Sequence, residues 1–389
     1  MNKKVILLSA VVLMFVSGSI FGLHQLATSV QRRMNPVLIH SPYDIAMETR
    51  AYHNELLVAD LHSDALMWDH DLAKNNQVGH VDFPRLKEGN VAVQVFSVVT
   101  KVPDNEGKST YGGGLDQITL LAVVELWPPQ TWFNLTERAL YQAHRLETLE
   151  KQLDGEFEIV TSKSDLTGFI AHRAENPQPV AGVLSLEGAH ALEGNLDNID
   201  VLYNAGFRIV GLTHHFDNDI GGASLGEGKK GLTDFGRDVV IRLEEEGMII
   251  DLAHASSTLI KDVLAITTRP VIVTHTGVKG ICVNARNLSD DDIKRIAERG
   301  GVIGIGYDPL FTCMAGVRSI VLSIQYVADL VGVEHVALGS DFDGVITAPF
   351  DTSGIALITQ GLIDAGFTPD EIRMIMGENV INFLEKNLP

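Results

Sequence analysis

Eight short apolar runs, each separated from the next by a longer polar or amphipathic stretch, constrain what this chain of 389 residues can fold into. They are Leu56–Leu61, Val91–Val99, Val180–Leu186, Arg208–Thr213, Met248–Leu252, Val271–Thr274, Val302–Gly306 and Val336–Gly339. Val, Ile, Leu and Gly dominate them, the composition of strands buried on both faces. Helical periodicity fills several gaps, at Asp234–Glu246, Ser289–Arg299 and Ile320–Val331. Ser289 followed by Asp290, Asp291 and Asp292 reads as an N-cap with an acidic first turn. Strands alternating with helices form parallel sheets, and eight such units predict an α/β chain folded as a (β/α)8 TIM-like barrel, with a doubly wound sheet as the alternative. Residues 36–389 read as a single catalytic domain, and 101–179 as an elaborated connection within it.

The ends of the apolar runs carry the chemistry. The first ends in His62-Ser63-Asp64, the third reaches Glu187, and the fourth reaches His214. His254, His275, Tyr307 and then Asp341 with Asp343 follow the fifth, sixth, seventh and eighth. In a barrel all these strand ends meet on one face, where active sites sit. A lone histidine after a strand is usually a hydrogen-bonded loop residue. Seven of eight strand ends furnished with His, Asp, Glu or Tyr is not what packing produces. Imidazoles and carboxylates without thiolates suit zinc or a similar divalent ion. Two ions sharing one carboxylate would use the whole set. His62 and Asp64, two apart on a strand and so on one side of it, would hold one of them.

Composition excludes other classes. With 30 basic against 50 acidic residues, the net charge of −20 argues against nucleic-acid binding. Two cysteines, Cys282 and Cys313, are too few for a disulfide framework and read as ordinary small buried residues. Residues 1–35 differ from the rest. A basic start, Lys3-Lys4, precedes an apolar stretch from Val5 to Leu23, and no charged residue follows until Arg32. The stretch reads as a membrane anchor or a signal peptide, and either would export the remainder. An uncleaved segment would tie the protein to the inner membrane facing the periplasm. A cleaved one would release it there.

From Leu56 onward the chain resembles the zinc-dependent membrane dipeptidases (renal dipeptidase-like), a branch of the amidohydrolase superfamily. The resemblance is carried by "ADLHSDAL", "VDFPRLKEGNVAVQVFSV", "SLEGAHAL", "GLTHHFDN", "IIDLAHAS", "PVIVTHTGVKGICVNARNLSDDDI", "GSDFDGV" and "MGENVINFL". It implies that His62 and Asp64 bind one zinc ion, His254 and His275 the other, and that Glu187 bridges them. It implies that His214 contacts the scissile carbonyl, that Arg286 binds the substrate carboxylate, and that Asp341 transfers a proton or holds the amino group. Asp343 is expected to stand behind these residues. Tyr307, from its strand-end position, is expected to contact substrate. Mammalian members carry a C-terminal lipid anchor, whereas "NFLEKNLP" has no apolar tail. A homodimer stays open, though not one linked by disulfides.

The expected activity is hydrolysis of dipeptides by attack of a metal-bridging hydroxide on the peptide carbonyl. The rivals are another hydrolase of the superfamily, acting on N-acyl amino acids or lactones, and a non-catalytic exported metal-binding barrel. A carboxylate clamp at Arg286 favours dipeptides and acyl-amino acids. The clamp alone does not separate the two.

Overall fold

The computed structural model describes residue 22 and residues 25–104, 110–112 and 114–389. Its strands are β1 (Val58–Ser63), β2 (Val91–Val99), β3 (Phe157–Ile159), β4 (Val180–Glu187), β5 (Phe207–Gly211), β6 (Ile249–Asp251), β7 (Ile272–Thr276), β8 (Val302–Ile305) and β9 (Val336–Leu338). All pairings between them are parallel, in the order β2-β1-β9-β8-β7-β6-β5-β4. The sheet closes where β2 pairs with β4, from Val93 opposite Ala181 to Val99 opposite Glu187. The result is the expected eight-stranded (β/α)8 barrel. Apart from two partly buried residues of β3, every strand residue is buried. The eight apolar runs are the eight barrel strands, displaced by no more than two residues at either end.

β3 is the exception. It lies within the connection 101–179 and pairs with the first residues of β4, Phe157 opposite Val180, outside the closed ring. The same connection contains helices Gln117–Val124, Leu135–Gln152 and Lys163–Glu175. The second of these begins where the Asn134 side chain accepts the Glu137 N–H, an N-cap, and buries Ala139, Gln142, Ala143, Leu146 and Leu149. That spacing of three and four is one face of an amphipathic helix. Ser289 caps helix Asp290–Glu298 in a capping box with Asp292.

Close backbone approach fixes two glycines of the wall. A Cβ on Gly304 or Gly339 would lie 2.1 or 2.0 Å from the Thr274 carbonyl oxygen. Both positions therefore exclude a side chain, and the backbones of β7, β8 and β9 pack tightly just below the site.

One expectation is corrected here, that for the cysteines. Cys282 and Cys313 are not independent buried residues: they form a disulfide, and Cys313 is exposed. The bond joins the loop after β7 to the loop after β8, which the linear sequence separates by 31 residues. Tyr307 is fully buried, its ring centroid 5.4 Å from that of Phe342 and 5.6 Å from that of Phe350, and it does not line the site's cavity. The end of β8 turns its phenol into the core.

Except for Gly22, the apolar segment Val5–Leu23 lies outside the described residues, and among the described residues no helix is long and apolar enough to cross a membrane. Residues 25–34 are helical, and Leu26, Ala27, Val30 and Met34 among them line the site's cavity.

Candidate metal centre and active site

Glu187 leaves the end of β4 and meets four imidazoles. Its Oε1 lies 2.9 Å from His254 Nε2, 3.4 Å from His275 Nε2 and 3.6 Å from His214 Nε2. Its Oε2 lies 3.6 Å from His62 Nε2. At the same His62 Nε2, Asp64 Oδ1 is 3.5 Å and Asp341 Oδ1 3.9 Å away. All five expected ligands are therefore together, with Glu187 between the His62–Asp64 pair and the His254–His275 pair.

The chemistry of this donor set fits cations. His62 Nε2, Asp64 Oδ1 and Glu187 Oε2 are buried without a hydrogen-bond partner. His254 Nε2 and His275 Nε2 face each other at 2.9 Å, a distance bridged by one shared proton, so the two lone pairs converge where a cation could take that proton's place. His62, Glu187 and His275 place ligand atoms within 4.8 Å of one another, as do His62, Asp64 and Asp341. Burial and the neighbouring Asp64 push Glu187 up to about 7. Burial likewise pushes Asp341 well above the carboxylate range, with Asp64 and Glu187 adding to it against the pull of His62. Burial disfavours charge on His62, yet the Glu187 and Asp64 carboxylates outweigh it and hold the imidazole well above its ordinary value. Burial, with Arg286 and the other imidazoles close by, holds His254 and His275 well below theirs, the neutral form a metal ligand needs.

Two residues that the strand-end reading did not single out orient the imidazoles. Thr274 Oγ1 donates to Asp251 Oδ2 at 2.6 Å, and lies 3.1 Å from His62 Nδ1 and 3.2 Å from His275 Nδ1. Asp251 Oδ1 accepts the backbone N–H of Ala253 and Thr274 at 2.9 and 3.0 Å. The motif "VIVTH" contains the threonine, but nothing in the linear sequence pairs it with His62. His215 is a third addition. It lies in the same wall as His214 and His254, and these three also place ligand atoms within 4.8 Å of one another. The doubled histidine in "GLTHH" was its only signal.

Backbone geometry at the rim is unusual. His254, Asp341 and Asp343 adopt φ of 62°, 64° and 64°, a region that costs energy for residues with a side chain and clusters at functional sites. Asp343 stands behind the site as expected. Its carboxylate accepts the N–H groups of His80 and Val81 at 2.7 and 3.0 Å, and its carbonyl accepts Trp68 Nε1–H at 2.7 Å.

Above the centre is a cavity of about 510 Å³ whose lining includes Asp64, Glu187, His214, His254, Arg286 and Asp341. Arg286 is buried, its Nη2 donating to the His275 carbonyl at 2.9 Å, and its Nε has no partner. Its guanidinium carbon lies 5.2 Å from the Phe311 ring centroid. The loop that carries it is fastened by the Cys282–Cys313 disulfide and by Asn287, whose amide donates to the carbonyls of Cys282 and Phe311 at 2.7 and 2.8 Å. The acidic cluster and a lone buried arginine thus face one space, and a small zwitterion with a carboxylate at one end fits that polarity.

Comparison with known proteins shows the fold and the family. The chain is 27% identical over 352 residues to Dipeptidase aclJ of Aspergillus oryzae, covering 88% of this chain and 76% of that one. A metallo peptidase from Rhodobacter sphaeroides, solved with a phosphinate mimic of the dipeptide L-Ala-D-Ala, superposes with a TM-score of 0.72 at 24% identity, covering 85% of this chain and 99% of that one. The probable dipeptidase PvdM of Pseudomonas aeruginosa superposes with a TM-score of 0.74 at 18% identity, covering 88% and 98%. The family model for membrane dipeptidases matches residues 47–387, and the chain belongs to that family, peptidase family M19.

Proposed function

We propose that this member of the dipeptidase family hydrolyses dipeptides with two divalent ions, zinc by the character of the ligands. His62 and Asp64 would hold one ion, His254 and His275 the other, and Glu187 both. The observation that carries this reading is Glu187 standing within 3.6 Å of His62 on one side and of His254 and His275 on the other. When bound, such ions polarise a carbonyl and make water acidic enough to ionise near neutrality.

The remaining steps belong to side chains of the chain itself. Arg286 holds the substrate's C-terminal carboxylate, for which its unpartnered Nε and buried position are suited. His214, lining the cavity beside Glu187, steadies the oxygen of the scissile carbonyl as charge develops on it. Asp341 takes a proton from the attacking water and delivers it to the leaving amine. The bound dipeptide mimic of the Rhodobacter relative supports a substrate of this size.

Purified protein supplied with zinc should cleave free dipeptides and spare N-acetyl amino acids. Efficient cleavage of N-acetyl amino acids with poor cleavage of dipeptides would make it an acylase instead. Glu187→Gln should lower metal content at both positions, and retention of both ions would refute the bridging role.

We further infer that the catalytic domain is exported. The apolar stretch Val5–Leu23 and the Cys282–Cys313 disulfide both support this, since disulfides persist in oxidising compartments. A reporter fused after Pro36 should work only outside the cytoplasm.

A further inference from the structure

The family match begins at residue 47, yet the wall of the active-site cavity includes residues well before it. Leu26, Val30 and Met34 all line the cavity, and Ala27 beside them is buried. They recur every four residues along the helical segment 25–34, so they share one face of it. Ile118, Leu121 and Val124 of helix Gln117–Val124 line the same cavity, and Val30 and Met34 pack against the same apolar cluster as Leu121. The polar floor of the site is thus capped by apolar walls, one of which lies outside the family region.

The wall also has a position relative to the substrate. Val30 and Met34 pack against a buried apolar cluster of Met67, Trp68, Val99, Ile118, Ala122 and Trp127, the first two of which follow Asp64 closely in the chain. The segment is fastened to the loop after β9, which carries Asp341. Val345 N–H donates to Asn35 Oδ1 at 2.8 Å, Ala348 N–H to the Pro36 carbonyl at 3.0 Å, and Leu38 N–H to the Ala348 carbonyl at 3.0 Å. Arg286 sits on a different loop, the one sewn to Phe311. The chain that carries the apolar wall is therefore tied to the loop of Asp341, while the carboxylate clamp belongs to another loop.

We infer that the enzyme selects dipeptides whose N-terminal residue carries a bulky apolar side chain, and that residues 25–34 provide the selecting surface. The inference rests on the proposed substrate orientation, with the carboxylate on Arg286 and the amino end toward Asp341. A Leu or Phe side chain there displaces water from Leu26, Val30 and Met34. A charged side chain would lose its hydration against the same surface without a partner. Discrimination by an apolar pocket against a side chain that does not fill it is on the order of 10- to 100-fold.

The test measures kcat/KM of the full-length, zinc-loaded protein on Leu-Ala, Phe-Ala, Gly-Ala, Asp-Ala and the reversed Ala-Leu and Ala-Phe. Leu-Ala and Phe-Ala should exceed Gly-Ala and Asp-Ala by roughly 10-fold or more. In Val30→Asn/Met34→Gln the Leu-Ala to Gly-Ala ratio should fall by about the same factor, chiefly through KM, while metal content stays at the wild-type value. Leu26 is 51% exposed, so Leu26→Gln probes the same wall without endangering the fold, and should lower the ratio less. Equal cleavage of Gly-Ala, Asp-Ala and Leu-Ala, or a ratio untouched in all variants, would overturn the inference and leave the dipeptidase reading standing. A preference confined to the C-terminal residue would overturn it too. Failure on every dipeptide would remove the functional reading itself.

Discussion

Thr274 gives its hydroxyl proton to Asp251, at 2.6 Å. With that proton committed, the oxygen is left to accept, and the groups it faces are His62 Nδ1 at 3.1 Å and His275 Nδ1 at 3.2 Å. Accepting from both sets each imidazole with its proton on Nδ1 and its lone pair on Nε2, the atom turned toward Glu187. One hydroxyl thus orients one ligand of each proposed ion. Thr274→Val keeps the shape and removes the hydroxyl. It should weaken metal binding roughly 10- to 100-fold, and Thr274→Ser should restore most of it. Competition with a chromogenic chelator would measure this. Wild-type affinity in the valine variant would show that the tautomers are set elsewhere.

Arg286 should read the free carboxylate of the substrate. Amidation of a dipeptide's C-terminus should reduce kcat/KM about 10²-fold or more, because a buried charged partner is left unpaired. Arg286→Lys should lose activity on the free dipeptide to a similar degree, since a point charge does not reproduce the planar fork. Metal analysis of that variant should match the wild type. An amidated substrate cleaved as fast as the free one would dismiss the clamp.

The Cys282–Cys313 bond should contribute to stability and to the placing of Arg286. It spans a sequence separation of 31 residues, for which loop-closure entropy suggests about 4 kcal/mol. Cys282→Ser/Cys313→Ser should lower the denaturant midpoint accordingly and raise KM. An unchanged midpoint in the double variant would mean the two loops hold together through Asn287 and through Asn284, whose amide donates to the Leu310 carbonyl at 2.7 Å.

His53 should make the protein acid-labile. It is buried between Thr359 Oγ1 at 2.8 Å and the Gly89 carbonyl at 3.0 Å, and burial holds it down at about 4 against an ordinary 6.5. Between those values the unfolded chain binds a proton that the native chain refuses, so stability falls as pH falls. The contribution is complete above pH 6.5, and about 3 kcal/mol of it is gone by pH 4. His53→Gln removes the titration. Urea unfolding of both proteins at pH 7 and pH 4 isolates this group, because metal release affects the two alike. Parallel losses in both would assign the acid lability to other residues.

Much of the barrel was legible in the linear chain because its strands are buried on both faces. Burial of that kind demands continuous apolar runs, and Val91–Val99 coincides with β2 residue for residue. The proposed ligands His62, Asp64, Glu187, His254 and His275 were legible for a related reason. Packing does not put imidazoles and carboxylates at the ends of buried strands, and the barrel's topology brings those ends to one face. What a strand end does not specify is direction. Tyr307 follows β8 and His275 lies in the last two residues of β7, yet the tyrosine ring packs against Phe342 and Phe350. β3 was missed because three residues, Phe157–Ile159, are too few to show a period. The Cys282–Cys313 bond, the Thr274 hydroxyl shared by His62 and His275, and the wall formed by Leu26, Val30 and Met34 were decided by tertiary structure alone. Each joins groups from separate loops or strands, and pattern along a chain reports the environment of a residue without naming the distant one that provides it.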